Sequence, residues 1–308
     1  MLGEMDSGSE NGSRVNRVRQ VGDEQAGREA MMTGEIENRV SQHYRHGTLE
    51  QAIADALAAS GVNAARLTSA ELSPVDEFHI GGRQATVEFA EQLDAEPSMH
   101  LLDIGSGLGG ASRYFAGERG CRVTGIDLTE EYVRVAEGLA KRVGLDGSVS
   151  YRQGSALALP FPADGFDGSY MLHVGMNIED KAALFREVWR VLKPGGVFGI
   201  YDVMREGEGD FSFPVPWATT ADTSFVVSAA DYRRLLEEAG FTVSKERNRR
   251  EFAIEFFREM RARAARSGGP PPLGLHILMG AATPEKVANM IGNLERGLLG
   301  PTEIICRK

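Results

Sequence analysis

Between Leu101 and Ala116 the chain reads LLDIGSGLGGASRYFA. An apolar run ends in Asp103, Gly105, Gly107, Gly109 and Gly110 then make a turn, and Ala111 opens a new amphipathic stretch. Glycines at this density permit unusual φ values and let a ligand approach the bare backbone. A glycine-rich turn from strand to helix is a nucleotide-binding device. Gly105, Gly107 and Gly110 also satisfy GxGxxG, so the loop by itself allows a dinucleotide oxidoreductase. Asp103, two residues before the first glycine, separates the readings. Its carboxylate would repel a pyrophosphate and would hold the α-amino group of a methionine moiety.

A second carboxylate follows 24 residues later, at the end of CRVTGID. Asp127 at such a strand tip can accept both hydroxyls of a ribose, whichever adenosine ligand carries it. Beyond the third predicted strand, Gly154, Ser155 and Ala156 stand where an adenine ring would be gripped, with Leu128 packing on one ring face.

The surrounding pattern must place these residues on one edge. Strands are expected at 99–104, 122–126, 149–152, 168–173 and 197–202, alternating with helices at 111–119, 130–143 and 181–192. Short apolar strands each followed by a helix predict a parallel sheet covered on both faces. A helix over 228–239, with Ser228 as N-cap and Gly240 as its stop, leads into a strand beginning at 241. A basic amphipathic helix carries Phe252, Phe256 and Met260, SGGPPPLG forms a rigid turn, and a last helix precedes a strand around Ile304. Residues 35–60 predict two short helices broken at Gly47, while residues 1–34, polar and rich in Gly and Ser, read as a flexible leader.

Composition bounds the rest. In 308 residues, 34 Lys and Arg face 44 Asp and Glu, a formal charge of -10 that disfavours nucleic acid as a partner. The two cysteines, Cys121 and Cys306, lie far apart without ligand spacing, which predicts neither zinc nor a disulfide and suits a reducing, cytoplasmic setting. No other metal cluster is expected, and no run reaches the roughly 18 apolar residues of a membrane span.

The series LLDIGSGLGG, GIDLT, QGSALALPFP, FDGSYMLH and LKPGGVFGIYD resembles the class I S-adenosylmethionine-dependent methyltransferases. With MNIEDK and FHIGG, it is similar to the branch holding sarcosine and dimethylglycine, phosphoethanolamine and sterol methyltransferases. The resemblance implies an α/β, Rossmann-like doubly wound fold with a mostly parallel seven-stranded sheet. An N-terminal helical lid over 35–81 and a core over 82–308 are expected, with cap elements near 203–227 and 250–300. It implies methionine contacts at Asp103, Gly105 and Gly107, ribose contacts at Asp127, and adenine contacts at Leu128 and Ala156, with Ser106, Gly109 and Ser155 among the cofactor-binding residues. The family's usual acidic residue is Ser155 here, which implies a weaker acceptor for the adenine amine.

The same resemblance places His173, after the fourth strand, near the transferred methyl group, either as a base or as a residue that orients the loop. Tyr44, on the lid, is expected to cover the cofactor or face the acceptor. His79 and Arg83 are expected at the acceptor, Arg83 either against a carboxylate or in surface or helix-capping use. Trp217, in an aromatic loop suited to an ammonium group, and His276, in the C-terminal stretch, complete the expected acceptor pocket. The expected activity is methylation of a small amine such as sarcosine or dimethylglycine. C- or O-methylation of a lipid, quinone or natural product is the alternative. The product cofactor would be S-adenosylhomocysteine, and the protein a monomer or homodimer. An NAD-dependent oxidoreductase and a cofactor-binding protein without catalysis are the competing classes.

Overall fold

The computed structural model describes residues 31–63, 67–267 and 271–308. Most of the expected leader therefore lies outside the described residues, as do positions 268–270 of the SGGPPPLG turn. Residues 31–34, assigned to that leader, are instead helical and open helix α1, which runs through residue 44.

Seven strands form one sheet: β1 (His100–Ile104), β2 (Arg122–Asp127), β3 (Val149–Gln153), β4 (Phe166–Leu172), β5 (Leu192–Arg205), β6 (Thr242–Asn248) and β7 (Leu299–Arg307). Their order is β3-β2-β1-β4-β5-β7-β6, and only β7 runs against its neighbours. The order reverses between β1 and β4, so a crevice opens beyond their carboxyl ends, where open α/β sheets take ligands. One face buries Phe89, Leu93, Phe115 and Tyr170, and the other Leu184, Phe185, Val188 and Phe198. The doubly wound fold expected from the strand and helix alternation is the fold observed.

Helices α4 (Gly82–Leu93), α5 (Gly110–Arg119), α6 (Glu130–Arg142), α7 (Lys181–Val191) and α8 (Ala229–Glu238) cover the sheet. Helix α6 shows why such segments fold as they do. Tyr132, Val135, Ala136 and Leu139 recur at helical spacing on its buried side, Glu130 and Glu131 occupy its first turn, and Lys141 and Arg142 its last. Acid at the N-terminus and base at the C-terminus both oppose the helix dipole.

The segment before the sheet, expected to act as a lid, consists of α1, α2 (Leu49–Ala59) and α3 (Ser69–Asp76). Helix α3 lies beyond the two short helices expected over residues 35–60. The chain starts it with a capping box, Thr68 and Glu71 each bonding the other's backbone, and carries Pro74 inside it. Leu49, Ile53, Leu72 and Val75 of the lid pack with Leu108, Tyr132 and Leu139 of the core. The Glu131 carboxylate then accepts backbone N–H bonds from His46, Gly47 and Leu49 at 2.7, 2.8 and 3.1 Å, fixing the α1–α2 corner.

Helices α9 (Arg250–Ser267), α10 (His276–Met279) and α11 (Thr283–Glu295) complete the chain. Ala253, Phe257, Met290 and Leu294 gather with Trp217 in a separate core of their own. Among the described residues, no helix is long and apolar enough to cross a membrane.

Candidate cofactor and acceptor site

A cavity lies in the crevice at the switch point. Its floor comes from the turn after β1 (Asp103, Gly105, Ser106, Gly107), the end of β2 (Asp127, Leu128), the stretch after β3 (Gly154, Ala156, Leu157) and the stretch after β4 (His173, Val174, Asn177). Its roof is one face of α1, with Thr33, Ile36, Glu37, Val40 and Tyr44 at helical spacing.

The glycine turn is shaped by two needs. Gly105 adopts φ +67, and a Cβ there would meet Val174 at 2.5 Å, so the loop after β4 can close only on a bare backbone. Gly107 adopts φ +53 with nothing within 4 Å of its absent Cβ, leaving open space for a ligand against its peptide. The turn is tied to β2 through the N–H groups of Gly105 and Ser106, which both donate to the Ile126 carbonyl, at 2.8 and 3.0 Å.

Asp127 accepts from the N–H of Gly107 at 2.9 Å and from the N–H of Thr129 at 2.8 Å, one bond on each carboxylate oxygen. Each oxygen keeps a second lone pair, which suits a pair of vicinal hydroxyls. Asp103 accepts from the Ser112 hydroxyl at 2.5 Å. Burial pushes its carboxyl up to about 7, with the Ser112 bond and Arg113 acting downward and the Asp127 charge upward. Ser106 Oγ faces the same cavity, buried and without a hydrogen-bond partner among the described residues. An orphaned hydroxyl, two buried carboxyls and a bare glycine backbone around one cavity fit the amino, carboxyl and ribose groups of S-adenosylmethionine. Asp103 would hold the ammonium group, Ser106 the carboxylate and Asp127 the ribose.

The cavity is also lined by Tyr44, Asp76, Glu77, Phe78, His79, His173 and Leu278. The Tyr44 hydroxyl donates to Asn177 Oδ1 at 2.9 Å, and burial holds it above its ordinary range. His173, at φ +57, donates from Nδ1 to the Tyr201 carbonyl at 3.2 Å and accepts at Nε2 from the Ile80 N–H at 3.4 Å. Burial and then the neighbouring His79 push it down to about 3. A neutral imidazole with both nitrogens engaged by backbone is a wall and a spacer, and its basic lone pair is occupied. His79 is likewise neutral, pushed by burial down to about 4, and its Nε2–H is shared between the Gly82 carbonyl at 3.1 Å and Thr86 Oγ1 at 3.0 Å. The Thr86 hydroxyl donates onward to Glu77 at 2.7 Å. Burial, reinforced by the Asp76 charge, raises Glu77 to about 8.

Several expected residues lie elsewhere. Arg83 does not line the cavity: it pairs with Glu118 and covers the Tyr114 ring at 5.2 Å, so it offers no counter-charge to an acceptor carboxylate. Trp217 is buried in the cap core, its indole N–H donating to Ser224 Oγ at 3.0 Å. Phe211 of the same loop has its ring under Arg205 at 4.1 Å, so the loop's aromatic faces serve the protein's own packing. His276 starts α10 outside the lining, where Leu278 takes its place. Gly109 caps α5 and is also outside the lining, as is Ser155, whose hydroxyl is turned to Glu37.

Sequence reasoning missed Glu37, Asn177 and the pair of Asp76 with Arg113. Asp76 and Arg113 form an ion pair beneath the glycine turn with side-chain exposures of 1% and 0%. The Arg113 guanidinium also donates to the Leu108 carbonyl at 2.8 Å. A Cβ on Gly110 would stand 2.5 Å from the Asp76 carbonyl oxygen, so α3 and α5 touch backbone to backbone there.

Residues 102–200 match the family model described as a methyltransferase domain. A sterol 24-C-methyltransferase of Gibberella zeae is 34% identical over 113 residues, covering 37% of this chain and 30% of the relative. Phosphoethanolamine N-methyltransferase 1 of Arabidopsis thaliana is 32% identical over 170 residues, covering 53% of this chain and 32% of the relative. The chain thus spans about a third of the length of these two curated relatives. Among solved structures, the Haemonchus contortus phosphoethanolamine N-methyltransferase 2 complexed with S-adenosyl-L-methionine superposes with a TM-score of 0.66 at 18% identity, covering 78% of this chain and 57% of that one. That likeness shows a shared fold. Residues 102–200 of this chain thus match a methyltransferase domain, on a fold shared with that structure.

Proposed function

We propose that this protein methylates a small molecule that carries no anionic group, most simply an apolar hydroxyl or carbon acceptor of the lipid or natural-product kind. One observation carries the reading. The cavity is lined by Glu37, Asp76, Glu77, Asp103, Asp127, Glu179 and Asp180, and by no Lys or Arg among the described residues. Asp76 is answered by Arg113 from below; an acceptor carboxylate or phosphate would find no such partner. Sarcosine and dimethylglycine, each with a carboxylate, are therefore poorly supported, and Arg83 does not rescue them. Ile36, Val40, Phe78, Leu108, Leu172 and Leu278 supply apolar wall in its place.

S-adenosylmethionine, bound there, supplies an electrophilic methyl carbon. The chain's own residues orient and exclude water. The α1 roof, held by the bond from Tyr44 to Asn177 and by the Glu131 corner, shuts the cavity over whatever it holds. His173 and His79, kept neutral, shape the acceptor end without adding charge. Methyl transfer from a sulfonium gains much from such alignment alone. A second reading, an amine without a carboxylate, is favoured by the rings of Tyr44, Phe78 and Tyr132 at the cavity, which can face a cation. With labelled S-adenosylmethionine and a metabolite extract, label is expected in the neutral, organic-extractable fraction. Label confined to acidic, water-soluble products would overturn the proposal.

Asp103 gives the site a pH dependence. Its native pKa, raised to about 7 from an ordinary 3.8, means that the folded protein holds this proton more tightly than the unfolded chain. Its contribution to stability is thus full below about pH 4 and falls as pH climbs toward 7. Ligand affinity runs the other way, because the ionised form is the one that pairs with an ammonium group. Affinity for S-adenosylhomocysteine is expected to rise about tenfold from pH 6 to pH 8 and to be flat in Asp103→Asn. The same rise in Asp103→Asn would assign the titration to another group.

A further inference from the structure

We propose that Glu37, on the lid, is the residue that reads the adenine amine of the cofactor, an inference that rests on the cofactor site proposed above. With ribose at Asp127, the attached base extends into the part of the cavity walled by Leu128, Ala156, Leu157 and Ile178. Glu37 faces that cavity from α1, half-buried, and its carboxylate accepts a hydrogen bond from the Ser155 hydroxyl. Ser155 is itself held in place by the Leu157 N–H, which donates to its oxygen at 3.0 Å. The serine proton is thereby committed to Glu37, and the carboxylate retains unused lone pairs beside the base.

A 6-aminopurine presents N–H donors at its edge, and a carboxylate is the strongest acceptor a protein can set against them. The other acids lining the cavity do not fit this part. Glu179 and Asp180 are exposed, and Asp180 is occupied as the N-cap of α7 by the Ala183 N–H at 2.8 Å. Asp103 and Asp127 are taken up by the amino and ribose ends. The base-reading group therefore sits on the part of the structure that closes over the ligand, and closure of α1 and recognition of adenine are one event. A 6-oxopurine would turn a carbonyl oxygen toward the same carboxylate and be repelled.

Calorimetric titration with S-adenosylhomocysteine and with S-inosylhomocysteine, on the unaltered protein and on Glu37→Gln, Glu37→Ala and Ser155→Ala, tests this. The unaltered protein is expected to prefer the adenosyl ligand by about 10- to 100-fold, the size of one charge-assisted hydrogen bond. Glu37→Gln, whose amide can satisfy either base, is expected to bring the two within about threefold, with its melting temperature unchanged. Ser155→Ala is expected to keep most of the preference. Equal weakening of both ligands in the Glu37 variants would reduce Glu37 to a lid contact and overturn the proposal. So would a preference lost in Ser155→Ala yet kept without Glu37. Binding of neither ligand by the unaltered protein would instead sink the cofactor site itself, and this inference with it.

Discussion

Asp76→Ala is expected to cost about 3–5 kcal/mol of folding stability, because it strands the Arg113 guanidinium in the interior. Arg113 is fully buried, and its remaining bond, to the Leu108 carbonyl, does not neutralise it. For a chain of this length the loss corresponds to a fall of roughly 5–8 °C in melting temperature. Asp76→Asn keeps the shape and loses the charge, and should fall nearly as far. Replacing both partners with apolar residues of similar volume should recover much of the loss, since the unpaired charge is what destabilises. Thermal unfolding of the three variants checks this. A melting temperature within about a degree of the parent in Asp76→Ala would mean that Arg113 reaches water, and that the α3–α5 contact is looser than the backbone approach at Gly110 implies.

Asp127→Ala is expected to weaken S-adenosylhomocysteine by at least about 100-fold with a much smaller effect on stability. A charge-assisted hydrogen bond contributes about 1.5–3 kcal/mol, and two hydroxyls are lost together. The substitution also removes the acceptor of the Gly107 and Thr129 N–H groups, which slackens the glycine turn. Both effects act on the ligand side of the turn, whereas the sheet below it is untouched. Asp127→Asn, which keeps one acceptor oxygen, should fall between. Calorimetry decides the matter, and a loss under threefold in Asp127→Ala would remove the ribose from this carboxylate.

The parts of the site that were legible in the sequence are those dictated locally. A turn that must expose its backbone needs glycine, and a carboxylate at a strand tip is placed by the strand that ends there. Asp103, Gly105, Gly107 and Asp127 therefore announced themselves by spacing. The acceptor end and the adenine edge were not legible, because they are built from distant partners: Tyr44 bonds Asn177 across 133 positions, and Ser155 bonds Glu37 across 118. Nothing periodic in the chain relates such pairs. Arg83, Trp217 and His276 misled for a related reason, since a polar or aromatic side chain near the right edge can equally serve a neighbour. Arg83 found Glu118, and Trp217 became the centre of the cap's own core. Helix α3 did carry a local signal, the Thr68-x-x-Glu71 box. His173 lines the cavity, and only its backbone partners, unseen in sequence, leave its lone pair occupied.

The glycine turn with Asp103 and Asp127 is expected to take a methionine-linked adenosine and not a dinucleotide. Separate calorimetric titrations of the unaltered protein with S-adenosylhomocysteine and NADH address it most directly. One saturable site per chain for S-adenosylhomocysteine, with no saturable heat from NADH, is the predicted result. Saturable binding of NADH by a protein indifferent to S-adenosylhomocysteine would instead place a pyrophosphate beside Asp103 and remove the methionine-linked ligand from this turn.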